Sequence, residues 1–396
     1  MKRDDREYRR SHPWLTFDVD RQLRDAPVQL WQLLGGVVAL ADVLADTPLL
    51  PAVAREMHAV YLAKGALATT AIEGNTLTEE EVRKAMDRQL RLPPSKEYLE
   101  TEVLNMVEAF NEIMRDVEPG TPPLTVDRIK EMNRQVLKSL ELDPGVVPGE
   151  VSDEGVVVGT YRGAPRRDCE YLLDRLCTWL EPDKVETVEN RTANAILRAL
   201  LAHLYLAWIH PFGDGNGRTA RLVEFMLLAH GGIPATAAHL LSNHFNDTRT
   251  AYYRQLAHAS RSGGDVVRFL IYALQGFYDG LRTQLDRIRQ QTEDLVWQEL
   301  VHQAIPGAGH PAHRQRRLAT DLFKSRTAVP KGQLTALSLK LFNMHHNTSV
   351  KTLTRDVHVL EAKGLMRRTP DGYVASEEKI LGLMPARAPQ PIGQVD

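Results

Sequence analysis

Most of the side chains able to do chemistry fall in one short run, His210-Pro211-Phe212-Gly213-Asp214-Gly215-Asn216-Gly217-Arg218-Thr219-Ala220-Arg221. A histidine titrates near working pH, so His210 is a candidate general base. Gly213, Gly215 and Gly217 let the backbone turn left-handed and approach a ligand closely. The loop feeds a helix start, whose free N–H groups and positive dipole end attract anions. Arg218 and Arg221 lie three apart on that first turn. Like charge meets like there, at roughly 0.3–1 kcal/mol per residue, unless a bound anion reverses the sign. Asp214 adds a hard carboxylate oxygen, the ligand type that Mg²⁺ takes when it shares its shell with nucleotide phosphates.

Two helices must hold this loop. Leu197, Leu200, Leu201, Leu204 and Trp208 make one apolar face over Ala195 to Ile209. Beyond the loop, Leu222, Phe225, Met226 and Ala229 make a second stripe, which Gly231-Gly232 ends. Any one of these residues fits an ordinary helical corner with surface arginines. The whole set does not, although a phosphate site without catalysis satisfies the same pattern. The loop lacks the Gly-Lys-Ser/Thr ending of a P-loop, and no strand precedes it.

The run resembles the Fic motif, H-x-F-x-[D/E]-G-N-G-R-x-x-R, with every defined position filled. The similarity extends over roughly Thr125 to Tyr278, including a segment with the pair Tyr252-Tyr253 and Gly264-Asp265 before a last helix. Fic proteins are mostly α-helical enzymes that move AMP from ATP to a protein hydroxyl, releasing pyrophosphate. The resemblance implies that His210 deprotonates a target Ser, Thr or Tyr. It implies that Asp214 holds Mg²⁺, that Asn216 and the amides of Gly213, Gly215 and Gly217 cradle phosphates, and that Arg218 and Arg221 bind the β/γ end. Relatives that phosphorylate instead carry Lys where this chain has Gly217, which favours AMP transfer. Tyr252 and Tyr253 are either adenine-pocket residues or the core side of an amphipathic helix.

Upstream, Thr69-Thr70-Ala71-Ile72-Glu73-Gly74 resembles the Fic inhibitory motif, [S/T]-x-x-x-E-[G/N], in which Thr69, Glu73 and Gly74 take the defined places. Glu73 ends a helix where its charge opposes the negative dipole end, so it needs a cation, and Arg221 is the candidate. Such a pair keeps Arg221 from the γ-phosphate. The alternative is a surface glutamate at a frayed helix end. A β-branched run, Val156-Val157-Val158-Gly159-Thr160-Tyr161, predicts a short hairpin or flap. Its edge, at Val156, Val157, Val158 and Tyr161, offers pairing to an extended target segment, or is an ordinary solvent-facing hairpin.

Charge excludes a polycationic binder: 49 Lys and Arg against 51 Asp and Glu leave a net charge of −2 over 396 residues. That length predicts two or three domains. Helical periodicity places a helical N-terminal unit at 1–120, the catalytic core at 121–290, a linker helix and third domain at 291–384, and a disordered, proline-rich tail at 385–396. The predicted class is mainly α. Thr125 is placed to cap the first core helix, and a polar helix is expected from Gly280 to Gln303. Cys169 and Cys177 lie eight apart in one helix and cannot bridge, which predicts a reducing, cytoplasmic setting. No segment is expected to approach the ~20 apolar residues of a membrane span.

From Asn347 the chain pairs an apolar stripe, Val350, Leu353, Val357 and Leu360, with a basic one, Lys351, Arg355 and His358. Thr348 or Ser349 would cap this helix and Gly364 would end it. Leu365 to Arg368 and Tyr373-Val374-Ala375 around a Pro-Asp-Gly turn make a small wing. The stretch resembles the winged helix-turn-helix of bacterial regulators, and two roles stay open for it, DNA contact or protein docking. The expected partners are a target protein with a free hydroxyl, DNA through this module, and a second copy of the chain. Two functions compete: a self-inhibited adenylyltransferase using ATP and Mg²⁺, and a nucleotide-sensing DNA-binding regulator without catalysis. The intact His210 favours the first, since a sensor needs no base.

Overall fold

The computed structural model describes residues 6–49, 51–117, 124–153, 156–158, 161–181, 189–346 and 350–381. The tail from Pro385 and the cap positions Thr348 and Ser349 lie outside them. The chain forms two compact units, Met1–Gln284 and Leu285–Asp396.

The first unit runs α1 (Tyr8–Ser11), α2 (Asp20–Arg24), α3 (Val28–Asp46), α4 (Pro51–Ile72), α5 (Glu79–Met86), α6 (Glu97–Arg115) and α7 (Val126–Val136). A two-strand antiparallel hairpin follows, β1 (Val157–Val158) with β2 (Tyr161–Arg162), pairing Val158 with Tyr161. Then come α8 (Arg166–Trp179), α9 (Arg191–Ile209), α10 (Asn216–His230), α11 (Ala235–Ala238), α12 (Leu240–Asp247), α13 (Arg249–Arg261) and the long α14 (Val267–Ala304). The architecture is mainly α with a short hairpin. Thr125 caps α7 by accepting from the Arg128 amide at 3.1 Å, and Asn190 caps α9 through the Ala193 amide at 2.8 Å.

α9 and α10 are the centre. α9 is apolar on all sides, so it is buried on all sides, with α3 and α8 packed against it. α10 receives α4, α6 and α7. The helices before residue 120 therefore share the compact unit of the core helices, because α4 and α6 cover the polar start of α10.

Two residues let α4 come close. His239 is buried, stacked on Phe225 and edge-on to Phe110, and burial drives its imidazole down to about 3. A Cβ at Gly65 would stand 2.2 Å from His239 Nδ1, so α4 can lie here only with glycine at that turn. Cys169 and Cys177 are free and buried on α8, and burial pushes both thiols up to about 12.

Two expectations fail. Helices α3 and α9 are each long and apolar enough to cross a membrane by length and composition, because few charges interrupt either. α9 is nonetheless an interior helix, with 83% of its window buried. The last core helix and the polar helix expected at Gly280 to Gln303 are one continuous α14, since Gly276 and Gly280 serve contact with His244 and Leu240 rather than breaking the helix.

In the second unit the end of α14 packs with α15 (His310–Ser325), α16 (Leu339–His345), α17 (Val350–Ala362), the hairpin β3 (Met366–Thr369) with β4 (Gly372–Ala375), and α18 (Glu378–Leu381). Val329 bridges Tyr373 and so adds a third, single-residue rung to the hairpin. Trp297 stacks on Phe323 at 4.8 Å and donates to the Ala319 carbonyl. Asp356, wholly buried on α17, accepts from Arg314 at 2.5 and 3.1 Å and from Gln315 at 2.9 Å.

Gly65→Ala drives a methyl into a buried ring and should lower unfolding stability by about 1–3 kcal/mol, read as a smaller midpoint in urea. An unchanged midpoint would mean that α4 is not seated against His239.

Candidate active site

His210 is the left-handed cap of α9, at φ 49°, and is half-buried. Its backbone is clamped: the Ala164 amide donates to the Ile209 carbonyl, and Ser152 to the Pro211 carbonyl. Gly163 follows β2 and passes so near that a Cβ there would sit 2.9 Å from the His210 Cβ. The ring's Nδ1 faces the Ala207 carbonyl at 3.3 Å. A carbonyl only accepts, so Nδ1 carries the proton and Nε2 keeps the lone pair. Burial lowers the imidazole below its ordinary 6.5, against the opposing pulls of the Ala207 carbonyl and the Glu73 charge.

The loop is shaped from inside. Gly215 takes φ 75°, the left-handed turn that starts α10. Asn216 was expected to cradle phosphates, but its side chain accepts from the Phe212 amide at 2.9 Å and donates to the Phe212 carbonyl at 2.6 Å. It staples the loop. Asn133 on α7 was not anticipated. Fully buried, it donates to the Asp214 carbonyl at 2.9 Å and to Thr219 at 3.2 Å, and accepts from the Gly149 amide. Its only sequence signal is a polar residue on the otherwise apolar face of Ile129, Met132 and Val136.

The arginines are paired with carboxylates. Glu73, just past the end of α4, meets Arg221 Nη2 at 2.5 Å, and Arg221 also donates to the Thr69 carbonyl at 3.0 Å. Arg221 is 1% exposed. Burial works to raise the Glu73 carboxyl, but the charge and hydrogen bond of Arg221, with Arg218 and His210 behind them, outweigh it and leave it below the ordinary carboxylate range. Gly74, at φ 108°, turns the chain away. A Cβ at Gly217 would lie 2.2 Å from Glu73 Oε1, so the carboxylate rests directly on that glycine. Thr69, Glu73 and Arg221 meet here, Thr69 contributing its carbonyl while its hydroxyl is buried with no hydrogen bond among the described residues.

Arg218 meets Glu102 Oε1 at 2.9 Å and Asp214 Oδ1 at 3.0 Å. Asp214 is 47% exposed and its Oδ1 also accepts from the Gly215 amide at 2.5 Å. Among the described residues no group of three or more His, Cys, Asp and Glu side chains is arranged to hold a metal. One oriented, exposed carboxylate fits Mg²⁺ only as an ion that takes its remaining ligands from phosphates and water.

The tyrosines divide. Tyr252 is a core residue: its hydroxyl bonds His203 Nε2 at 2.8 Å, and His203 Nδ1 bonds the buried Glu224 at 2.7 Å. Tyr253 is exposed and donates to the Ile72 carbonyl, 3.3 Å away at the end of α4. The Tyr161 hydroxyl donates inward to the Trp208 carbonyl at 2.6 Å. Burial raises that phenol, so the residue anchors the hairpin. Val156 is half-buried, and the side chains of Val157 and Val158 lie outside the described residues.

A histidine cap, a glycine loop and two carboxylate-held arginines thus meet at the start of α10 in a mainly helical unit. Residues 123–228 match the profile of the Fic/DOC family. Protein adenylyltransferase fic-1 of Caenorhabditis elegans is 30% identical over 229 residues, 56% of this chain and 42% of that protein. Protein adenylyltransferase Fic of Nematostella vectensis is 28% identical over 205 residues, 51% of this chain and 44% of that protein. The chain thus spans under half the length of these curated relatives. A solved structure of C. elegans Fic-1 aligns with 66% of this chain and 73% of its own at 26% identity, TM-score 0.55. A Fic family protein from Desulfovibrio desulfuricans G20 shares the fold, with TM-score 0.53 over 88% of this chain and 95% of its own at 21% identity.

By NMR of histidine-labelled protein, His210 should titrate below 6.5, and lower still in Glu73→Gly, because the Glu73 charge is one of the groups holding it up. A value at or above 6.5 in the wild type would contradict the buried, Ala207-bonded ring.

Proposed function

We propose that the chain is a self-inhibited protein adenylyltransferase, moving AMP from ATP to a Ser, Thr or Tyr hydroxyl of a target protein. The observation that carries the reading is the Fic run itself, with its histidine base on one side of a glycine loop and a helix start on the other. In this reaction His210 Nε2 takes the proton of the target hydroxyl. The hydroxyl oxygen forms a bond to the α-phosphorus, the bond to the bridging oxygen of the β-phosphate breaks, and pyrophosphate leaves with that electron pair. The free amides at the start of α10 face the phosphates. Asp214 is the residue that would hold Mg²⁺, which would there offset the charge of the phosphates. The two buried free thiols agree with a cytoplasmic, reducing setting.

Self-inhibition is supported by the 2.5 Å contact of Glu73 with Arg221, a buried arginine with no slack to serve a phosphate as well. The carboxyl stays ionised at working pH because Arg221 holds it low, so the restraint has to be moved rather than titrated. Glu73→Gly should raise self-labelling with labelled ATP about tenfold or more, since close charge pairs couple by about 1.5 kcal/mol or above and each 1.4 kcal/mol is tenfold. Adding His210→Ala should abolish the gain while ATP still binds, because the base contributes about 10²–10⁴ in rate. A folded Glu73→Gly protein no more active than wild type would sink the inhibition, and label persisting without His210 would sink the mechanism.

For the second unit the reading is a winged-helix module that contacts DNA. Its support is the order of α15, the Val329 rung, α16, α17 and the β3–β4 hairpin, with Lys351, Arg355 and His358 exposed along α17 and Arg367 and Arg368 exposed on the hairpin. His358 lies 3.5 Å from Glu361, which leaves Lys351 and Arg355 as the stronger phosphate contacts. Lys351→Ala and Arg355→Ala should each weaken DNA retention and lower the salt dependence of binding by about one unit of slope. Failure of the intact chain to bind DNA at low salt would assign the module to protein docking.

A further inference from the structure

Glu102 lies on α6, outside every motif in the sequence, and is tied to the site from two sides. Its Oε1 meets Arg218 Nη1 at 2.9 Å, and its Oε2 accepts from Asn75 Nδ2 at 2.9 Å. Asn75, buried two positions after Glu73, also donates to the Leu99 carbonyl at 2.9 Å. Glu102 is therefore oriented by two side chains, one of which is itself tied to the backbone of α6. The line continues outward, from Arg218 Nη2 to Asp214 Oδ1. Glu102 is 16% exposed, Arg218 5% and Asp214 47%, so the arginine is the buried middle of the line and Asp214 its exposed end.

That order decides what Arg218 does. Both terminal nitrogens of the guanidinium are engaged by carboxylates, and its Nε is buried with no hydrogen-bond partner among the described residues. A planar fork gripped this way acts as a spacer of fixed length between two carboxylates. The Gly215 amide and Arg218 both bind Oδ1 of Asp214, which sets the plane of the carboxylate, and neither binds Oδ2. Glu102 also neutralises the arginine that stands beside a carboxylate intended for a cation.

We propose that Glu102 is a positioning residue: it acts through Arg218 to set the Asp214 carboxylate for a divalent cation shared with nucleotide phosphates. The inference rests on the nucleotide reading of the loop and adds to it a residue that touches neither cation nor nucleotide. Groups of this kind orient ligands from behind and typically change metal affinity by about 10–100-fold when lost.

The test uses the full chain and ADP as the probe, with binding measured by calorimetry in Mg²⁺ and in EDTA. In Glu102→Ala and in the isosteric Glu102→Gln, the gain in ADP affinity on adding Mg²⁺ should shrink about tenfold, while affinity in EDTA stays within about twofold. Glu102→Asp, which keeps the charge, should recover part of the gain. An undiminished Mg²⁺ gain in folded variants overturns the proposal and leaves Glu102 a packing residue. A large rise of ADP affinity in EDTA overturns it too, since Glu102 would then be restraining Arg218 from phosphate. Absence of any ADP binding by the wild-type chain defeats the nucleotide reading itself. The positioning step is read without nucleotide in a crystal structure of Glu102→Gln: Arg218 should leave Asp214, and a retained 3.0 Å pair overturns the proposal.

Discussion

Two arginines stand in the first two turns of a buried helix, and the helices packed on its start are arranged around that constraint. A guanidinium does not lose its proton in a protein, and an uncompensated buried charge is strongly destabilising. Arg221 is more deeply buried than Arg218, and both sit at the positive end of the α10 dipole. Each must have a carboxylate until an anion replaces it. Glu73 from the end of α4 and Glu102 from α6 supply them, with Asp214 from the loop. The helices before residue 120 are thus the counter-ions of the site as well as its cover.

Small residues make that cover fit. Gly65 lets α4 pass over His239, and Gly217 lets the Glu73 carboxylate lie on the start of α10. The second contact gives the resemblance a physical edge: a side chain at position 217 and the Glu73–Arg221 pair cannot occupy the same space unless the carboxylate moves. Asn133 and Asn216 complete the loop from below, one holding the Asp214 carbonyl and the other both polar groups of Phe212. Both spend these hydrogen bonds on the shape of the loop.

The polar network behind α13 follows the same logic. Tyr252, His203 and Glu224 satisfy one another in the core, so the first tyrosine of the pair fixes the helix while the second reaches the end of α4. Residues adjacent in sequence are about 100° apart around a helix, and only packing says which of the two faces the core. Tyr161 is a similar case. Strand propensity places it in a hairpin, but the backbone carbonyl of Trp208 decides that its hydroxyl turns inward.

The sequence by itself determined the elements and the reactive run. Periodicity marks α9 and α10, Gly215 marks the left-handed turn between them, and Glu73 before Gly74 marks a carboxylate at a helix end in need of a cation, all because these are local effects of backbone and spacing. Tertiary structure alone decided the pairings across the chain. Glu102 lies 116 residues from Arg218 and Asn133 lies 81 from Asp214; Asn133 stands out locally only as a polar residue on an apolar face, and Glu102 lies in no motif. The same reason explains the single helix α14, where glycines that read as breaks are contact points. Which polar residue answers which buried charge is set by how helices stack, and stacking is a property of surfaces brought together, not of any one stretch of chain.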